Sequence, residues 1–213
     1  MDHSDSAAPV VVITGAGGGL GAATAALYAG RGWRVVAVDL TAPPGGTGIT
    51  PVAADVTDAD SLSALADRVR ADFGRLDLVV TFAGVLGIGP LAETDPQRVQ
   101  HVLDVNVMGT VRTVHALWDL LRETGGRVVL ISSETGPQHG MPMNGAYAMS
   151  KHAIEAYGDA VRWDLPRRLL DHLPVPLVDK TLVLALGGTI NARKFEMRRQ
   201  EADAREQMRE VAE

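Results

Sequence analysis

The fold is decided by residues 10–40, whose sequence is VVVITGAGGGLGAATAALYAGRGWRVVAVDL. Residues 10–14 form a short run of β-branched apolar side chains that stops at glycines, which is typical of a strand buried on both faces. Residues 20–32 are rich in alanine and leucine and end in glycine, as helices do, and residues 33–40 form a second apolar run. Because the order is strand, helix, strand, the two strands are predicted to be parallel, with a right-handed crossover.

The same alternation continues along the chain. Thr94 or Asp95 can cap a later helix, whose first turn contains Pro96. Five apolar strands that alternate with helices imply a doubly wound parallel α/β sheet, the Rossmann fold, in a single domain over residues 10–190. Further strands are predicted at residues 51–56, 76–84 and 127–133, and helices at 58–74, 94–126 and from about Tyr147.

Beyond about residue 165 the alternation becomes irregular. Three prolines between residues 165 and 179 exclude one continuous helix there. Residues 180–190 fit a sixth strand or a buried apolar helix, and residues 191–213 form a highly charged helical pattern that could cover a substrate. The C-terminal part is therefore expected to be atypical or incomplete for this fold.

The composition of the 213 residues is that of an ordinary soluble globular protein, with 46% hydrophobic and 22% charged residues. The net charge of −6 leaves no positive field that would attract nucleic acid or an anionic membrane. The absence of cysteine excludes disulfides and thiolate metal sites, and it suits a reducing cytoplasm. No apolar run approaches the roughly 20 residues of a membrane span. Residues 1–9 lack the features of a signal peptide and are predicted to be a flexible tail.

A glycine-rich stretch, TGAGGGLG at residues 14–21, lies between the first strand and the first helix. Glycines let backbone N–H groups approach a diphosphate closely, and the helix N-terminus adds a favourable dipole. The stretch could be a mere flexible turn, but its place in a βαβ unit favours a dinucleotide site. Asp39, at the end of the second strand, can bind the adenosine ribose hydroxyls and would repel a 2′-phosphate, which favours NAD(H) over NADP(H). The alternative for Asp39 is a solvated acid at a strand end.

Further motifs follow the glycine-rich stretch along the chain. They are Asp55 in AADVTD, Asn106 in VNVMGT, Ser133 in ISSETG, and Tyr147 and Lys151 in YAMSK. With these motifs in this order, and with Thr14, Gly15, Gly19 and Gly21 in the spacing Thr-Gly-x-x-x-Gly-x-Gly, the first 165 residues resemble the classical short-chain dehydrogenase/reductase family. Residues 150–165 are similar to the branch of the family that acts on retinoids, steroids and other lipophilic alcohols.

This resemblance implies an enzyme that interconverts a secondary alcohol and a ketone, or a primary alcohol and an aldehyde, by hydride transfer with NAD(H). Tyr147 would be the general acid/base, and Lys151, one helical turn away, would stabilise its phenolate and hold the nicotinamide ribose. Ser133 would hydrogen-bond the substrate oxygen, and Asn106 would hold a water that connects Lys151 to solvent. The implied cofactor contacts are Gly15, Gly17, Gly18, Gly19, Leu20, Gly21, Asp39, Leu40, Asp55, Val56, Ala83, Gly84, Tyr147 and Lys151.

The resemblance also implies partners. The expected partners are a small lipophilic alcohol or carbonyl substrate and further copies of the chain, in a homodimer or homotetramer packed through the helices at 96–123 and 147–165. His139, Met141 and Met143 either line an apolar substrate pocket or are ordinary loop residues. No metal is predicted, because His101, His115 and His152 show no metal-ligand spacing.

Two features depart from the family pattern. Phe82 stands where the family has an asparagine that braces the central strands, and the C-terminal third lacks the usual order of segments. Two alternative functions therefore stay open beside the redox enzyme. One is a non-redox enzyme that uses bound NAD transiently, such as an epimerase or dehydratase, and the other is a catalytically impaired dinucleotide-binding protein.

Overall fold

The computed structural model of the protein describes residues 8–133 and 142–164, in which five parallel strands form one sheet in the order β3-β2-β1-β4-β5. The strands are β1 (Val10–Thr14), β2 (Arg34–Asp39), β3 (Ile49–Ala53), β4 (Leu78–Thr81) and β5 (Arg127–Leu130). The helices are α1 (Gly19–Gly30), α2 (Ala59–Phe73), α3 (Pro96–Leu103), α4 (Gly109–Thr124) and α5 (Gly145–Asp164), with a 3₁₀ turn at Leu91–Glu93 and a π-helical turn at Asp104–Met108.

The two faces of the sheet are covered by different helices. Val12 belongs to a buried cluster that includes Leu65 of α2 and Leu117 of α4, whereas Ile13 belongs to a second cluster that includes Ala25 of α1. Neighbouring strand residues point to opposite faces, so every side chain of β1 is buried. Each fully buried Val, Leu or Ile contributes about 1.5–3 kcal/mol through the hydrophobic effect. The doubly wound parallel α/β fold predicted from the sequence is thus confirmed.

The third strand begins and ends earlier than the sequence predicts. It spans Ile49–Ala53 rather than residues 51–56, and it accommodates Pro51 because it is the edge strand of the described sheet, next to β2. The strand cannot continue through Asp55, since the Asp55 carboxylate accepts hydrogen bonds from the backbone N–H and the hydroxyl of Thr57, both at 2.8 Å. This local turn competes with extended backbone.

The long helix expected at residues 94–126 is divided. Asp95 caps it by accepting from the backbone N–H of Gln97 at 2.9 Å, while the Thr94 hydroxyl donates to the Pro90 carbonyl at 2.9 Å. A π-helical turn separates α3 from α4, and it holds the buried Asn106. The other differences are small: β4 and β5 are shorter than predicted, and α5 begins two residues before Tyr147.

The remaining sequence predictions fall on other parts of the chain. The C-terminal elements predicted beyond residue 165, and nearly all of the predicted N-terminal tail, lie outside the described residues. Within residues 8–133 and 142–164, no helix combines the length and the apolar character that crossing a membrane requires.

Candidate active site

The strand order reverses next to the central strand β1. The chain runs from β1 to β2 in one direction and returns to β4 on the other side of β1, so the order reverses between β1 and β4. Ligands of open α/β sheets bind outside the carboxyl ends of the strands at such a point. The predicted site residues at the carboxyl ends of the strands are Gly15, Asp39, Ala83 and Ser133, each of which ends a strand or follows one.

The glycine-rich loop is shaped by close backbone approaches. A Cβ on Gly21 would lie 2.1 Å from the Gly15 carbonyl oxygen, and one on Gly15, whose φ is +69°, would lie 2.6 Å from the backbone nitrogen of Ala83. Gly18 and Gly19 face open space, and no side chain caps the start of α1. The loop therefore presents small residues and a helix N-terminus that no side chain caps. The positive end of the helix dipole there fits the diphosphate of a dinucleotide.

Asp39 is tied to this loop. Its carboxylate accepts from the backbone N–H of Gly17 at 2.8 Å and from that of Leu40 at 2.8 Å. Each carboxylate oxygen retains a further lone pair, so the group can still accept hydrogen bonds from ribose hydroxyls. Asp39 thus lies beside the glycine-rich loop, and its predicted contact with an adenosine ribose remains a prediction.

Asp55 and Val56 have local structural contacts. The hydrogen bonds from Thr57 are the main cause that lowers the pKa of Asp55, and they hold the turn that leads into α2. Val56 is buried beneath Gly109, where an added Cβ would lie 2.7 Å from a Val56 methyl group. Their predicted contact with the adenine remains a prediction.

Asn106 is the most fully bonded of the predicted residues. It is 1% exposed, and its side-chain oxygen accepts from the Val85 N–H at 2.7 Å. Its amide nitrogen donates to the Val85 carbonyl and to the Ser150 hydroxyl, both at 3.0 Å. The Ser150 hydroxyl in turn donates to the Tyr147 carbonyl at 2.6 Å. Sequence reasoning missed Ser150. The available signal was that Ser150 directly precedes Lys151 in the sequence.

Tyr147 and Lys151 lie together on the first two turns of α5. The Lys151 Nζ is 5.3 Å from the centre of the Tyr147 ring and donates to the Ile131 carbonyl at 2.8 Å. Lys151 is 7% exposed, and this burial lowers the pKa of its ammonium. Ile131 is two residues before Ser133, so the structure brings Lys151, Tyr147 and the segment that carries Ser133 into one region.

Phe82 fills its position with apolar contacts. Its ring packs against the buried cluster on the α1 side of the sheet, and its backbone N–H donates to the Thr14 carbonyl at 3.0 Å. The central strands are thus joined here by packing and a backbone hydrogen bond instead of a side-chain amide.

The segment after β4 lies against the start of α5. The Gly89 N–H donates to the Met143 carbonyl at 2.8 Å, and a Cβ on Gly87 would be 3.2 Å from the Ala146 Cβ. Leu86 and Ile88 of this segment are each 63% exposed, and Met143 is 51% exposed. These three exposed apolar residues, Leu86, Ile88 and Met143, lie on two segments that the Gly89–Met143 hydrogen bond joins, and they are called the apolar rim below. His139 and Met141 lie outside the described residues.

The parallel sheet, its strand order and the helices on both faces define a doubly wound α/β protein. Comparison with known proteins gives the family: the model described as short chain dehydrogenase matches residues 9–169, and the chain belongs to this family. No cluster of three or more His, Cys, Asp or Glu suited to a metal ion occurs in residues 8–133 and 142–164.

Three similar proteins illustrate the membership. A D-threitol dehydrogenase of Mycolicibacterium smegmatis is 34% identical over 156 residues, which are 68% of this chain and 60% of that protein. An uncharacterized NAD-dependent oxidoreductase of Mycobacterium tuberculosis is 33% identical over 181 residues, covering 73% of this chain and 66% of that protein. A crystal structure of a short-chain dehydrogenase from Streptomyces avermitilis matches with a TM-score of 0.66 and 28% identity, over 73% of this chain and 60% of that one. The chain thus spans about 60% of the length of the first of these relatives.

Proposed function

We propose that this protein is an NAD-dependent oxidoreductase that interconverts an alcohol and a ketone or aldehyde, with Tyr147 as the general acid/base. The observation that carries the proposal is the Lys151 ammonium, buried 5.3 Å from the Tyr147 ring. Burying a cation is costly, and burial itself is what lowers the pKa of Lys151. Such a cation can stabilise the negative charge that develops on a neighbouring phenol oxygen during proton transfer, because opposite charges attract more strongly away from water.

Different residues of the chain have different roles in the proposed reaction. A bound nicotinamide would supply or accept the hydride. Tyr147 gives a proton to the substrate oxygen or takes one from it, and the Ser133 hydroxyl donates a hydrogen bond to the same oxygen. Asn106 keeps one free lone pair on its side-chain oxygen, with which it can hold a water in a proton path to Lys151.

The preference for NAD(H) follows from charge. The Asp39 carboxylate next to Gly17 would repel the 2′-phosphate of NADP(H), while it can bind two ribose hydroxyls. The similar oxidoreductase of M. tuberculosis is also named for NAD. In this proposal Gly15, Gly17, Gly18, Gly19, Leu20 and Gly21 hold the diphosphate.

The substrate is proposed to be a lipophilic alcohol or carbonyl compound. The apolar rim is exposed to solvent close to the start of the helix that bears Tyr147. Exposed apolar groups that gather beside polar catalytic groups are typical of sites for apolar ligands. A homodimer or homotetramer remains part of the proposal by analogy with the family.

A binding titration followed by a turnover assay tests the proposal. NADH and NADPH are titrated by nicotinamide fluorescence, and turnover of a panel of secondary alcohols and ketones is followed by nicotinamide absorbance. We expect NADH to bind at least tenfold more tightly, and the preference to weaken in Asp39→Ala. Asp39→Asn is the matched control. It removes the charge but keeps an acceptor for the Gly17 N–H, so it should weaken the preference for NADH as Asp39→Ala does if charge is the cause. Tighter binding of NADPH would contradict the cofactor assignment, and NADH binding without any turnover would favour a dinucleotide-binding protein.

A further inference from the structure

Helix α5 holds the segment after β5 at two points. The Lys151 ammonium donates to the Ile131 carbonyl at 2.8 Å, and the Ser132 hydroxyl donates to the Glu155 carboxylate at 2.9 Å. Lys151 and Glu155 are four residues apart, so they lie one turn apart on the same face of the helix. Two consecutive residues of the segment are therefore each bound to a charged side chain of α5.

Both points lie within two residues of Ser133. The same helix carries Tyr147, eight residues before Glu155, which corresponds to about 12 Å along the axis. Because a helix is rigid over this length, the two attachments fix the backbone that precedes Ser133 relative to Tyr147. The relative position of the two proposed catalytic hydroxyls then depends on contacts that α5 itself makes.

The two polar contacts lie beside apolar packing between α5 and β5. Ile154 packs with Leu130 in a buried cluster, and Gly158 lets α5 approach closely, since an added Cβ would lie 3.1 Å from a Leu130 methyl group. The Ser132 hydroxyl bonds to a charged group here, and such hydrogen bonds are roughly twice as strong as those between neutral groups.

We infer that Glu155 is a positioning residue for the proposed reaction. Through its hydrogen bond with Ser132 it fixes the position of Ser133 relative to Tyr147. This inference rests on the proposed function and deepens it, because it adds a residue that touches neither the substrate nor the cofactor. Misplacement of a catalytic group by 1 Å can cost as much as 100-fold in rate. The contribution of Glu155 is therefore expected in kcat rather than in the binding of NADH.

Substitutions at both ends of the hydrogen bond test the inference. Glu155→Ala is expected to lower kcat about 10- to 100-fold, with the Kd for NADH unchanged. Glu155→Gln keeps a side-chain oxygen that accepts from Ser132, so it should retain kcat within about twofold of the wild type. Ser132→Ala should also lower kcat, and the loss in the double variant should be smaller than the two single losses combined, because both changes remove the same hydrogen bond. His152→Ala, an exposed change on the same helix, is the control.

Several results would overturn the inference: a Glu155→Ala variant with the kcat of the wild type, a Gln variant as impaired as the Ala variant, or additive losses in the double variant. Amide hydrogen exchange at residues 131–133 adds a readout that needs no turnover. It should quicken in Glu155→Ala and stay unchanged in Glu155→Gln. If the wild type binds NADH but turns over nothing, the proposed function fails. In that case equal exchange in all variants would also reject the anchoring by Glu155, whereas the expected pattern would support the anchoring alone.

Discussion

The glycine-rich loop and the first two turns of α5 form the two halves of the candidate site, and they are built in opposite ways. In the loop the closest contacts are between backbone atoms, with Gly21 against the Gly15 carbonyl, and Asp39 adds one side-chain contact at Gly17. Around α5 the contacts are made by side chains, with Asn106 bound to Val85 and Ser150, and Lys151 bound to Ile131. The loop should therefore be damaged by adding atoms, and the α5 region by removing them.

The largest expected effect is that of a single added methyl group in the loop. In Gly21→Ala the Cβ would overlap a backbone oxygen that no side-chain rotation can move, so we expect a loss of about 3 kcal/mol or more in the free energy of unfolding. Gly18→Ala is the matched control, since an added Cβ there meets no atom within 4 Å. It should change stability by less than about 0.5 kcal/mol. Urea denaturation measures both.

Similar losses for the two glycine variants would show that conformational freedom, and not close approach, is what the loop requires. The contrast between the two halves would then fail on the loop side, because Gly18 would matter as much as Gly21.

The next effect comes from removing atoms near α5. Asn106→Ala leaves the Val85 N–H and carbonyl and the Ser150 hydroxyl without the side-chain partner each has now, and we expect a loss of about 2–3 kcal/mol. Ser150→Ala removes one of these contacts together with the hydrogen bond to the Tyr147 carbonyl, and it should cost about 1–2 kcal/mol. Equal stability of Asn106→Ala and the wild type in denaturant unfolding would mean that these hydrogen bonds do not support the site.

The smallest expected effect is a change in the pH dependence of the free energy of unfolding when Lys151 is replaced. Burial lowers the pKa of the folded ammonium below its ordinary value of 10.5, so the unfolded chain binds more protons between the two pKa values. The stability of the wild type therefore gains from this group as pH rises through that window. Lys151→Met should be as stable as the wild type or more stable at pH 7, and should lose this advantage towards pH 10. An advantage that grows with pH would contradict the burial argument.

The two halves also differ in how far they could be predicted from sequence. The loop, α1 and Asp39 lie within one βαβ unit of consecutive residues, so glycine spacing and apolar runs were sufficient to predict their arrangement. The early end of β3 depended on the hydrogen bonds that the Asp55 side chain makes with Thr57, for which the apolar pattern gives no signal. The C-terminal predictions lie outside the described residues.

In the α5 half the residue types were predicted, but their contacts were not. Asn106 was expected in an unbroken helix, because a π-helical turn does not change the apolar periodicity enough to be recognised. Ser150 and Glu155 were missed since their partners are 44 and 23 residues away in the chain. Such contacts arise only once the strand order has brought β4, β5 and α5 together.

The central claim is that Tyr147 transfers a proton beside the buried Lys151, and Tyr147→Phe tests it most directly. The variant keeps the ring and loses only the hydroxyl, so NADH binding and the unfolding midpoint should match the wild type. The measurement is kcat for the best substrate of the panel at saturating NAD(H). The proposal predicts a fall of about 100- to 10,000-fold. A variant that keeps a tenth or more of the wild-type kcat would contradict the assignment of Tyr147 as the general acid/base.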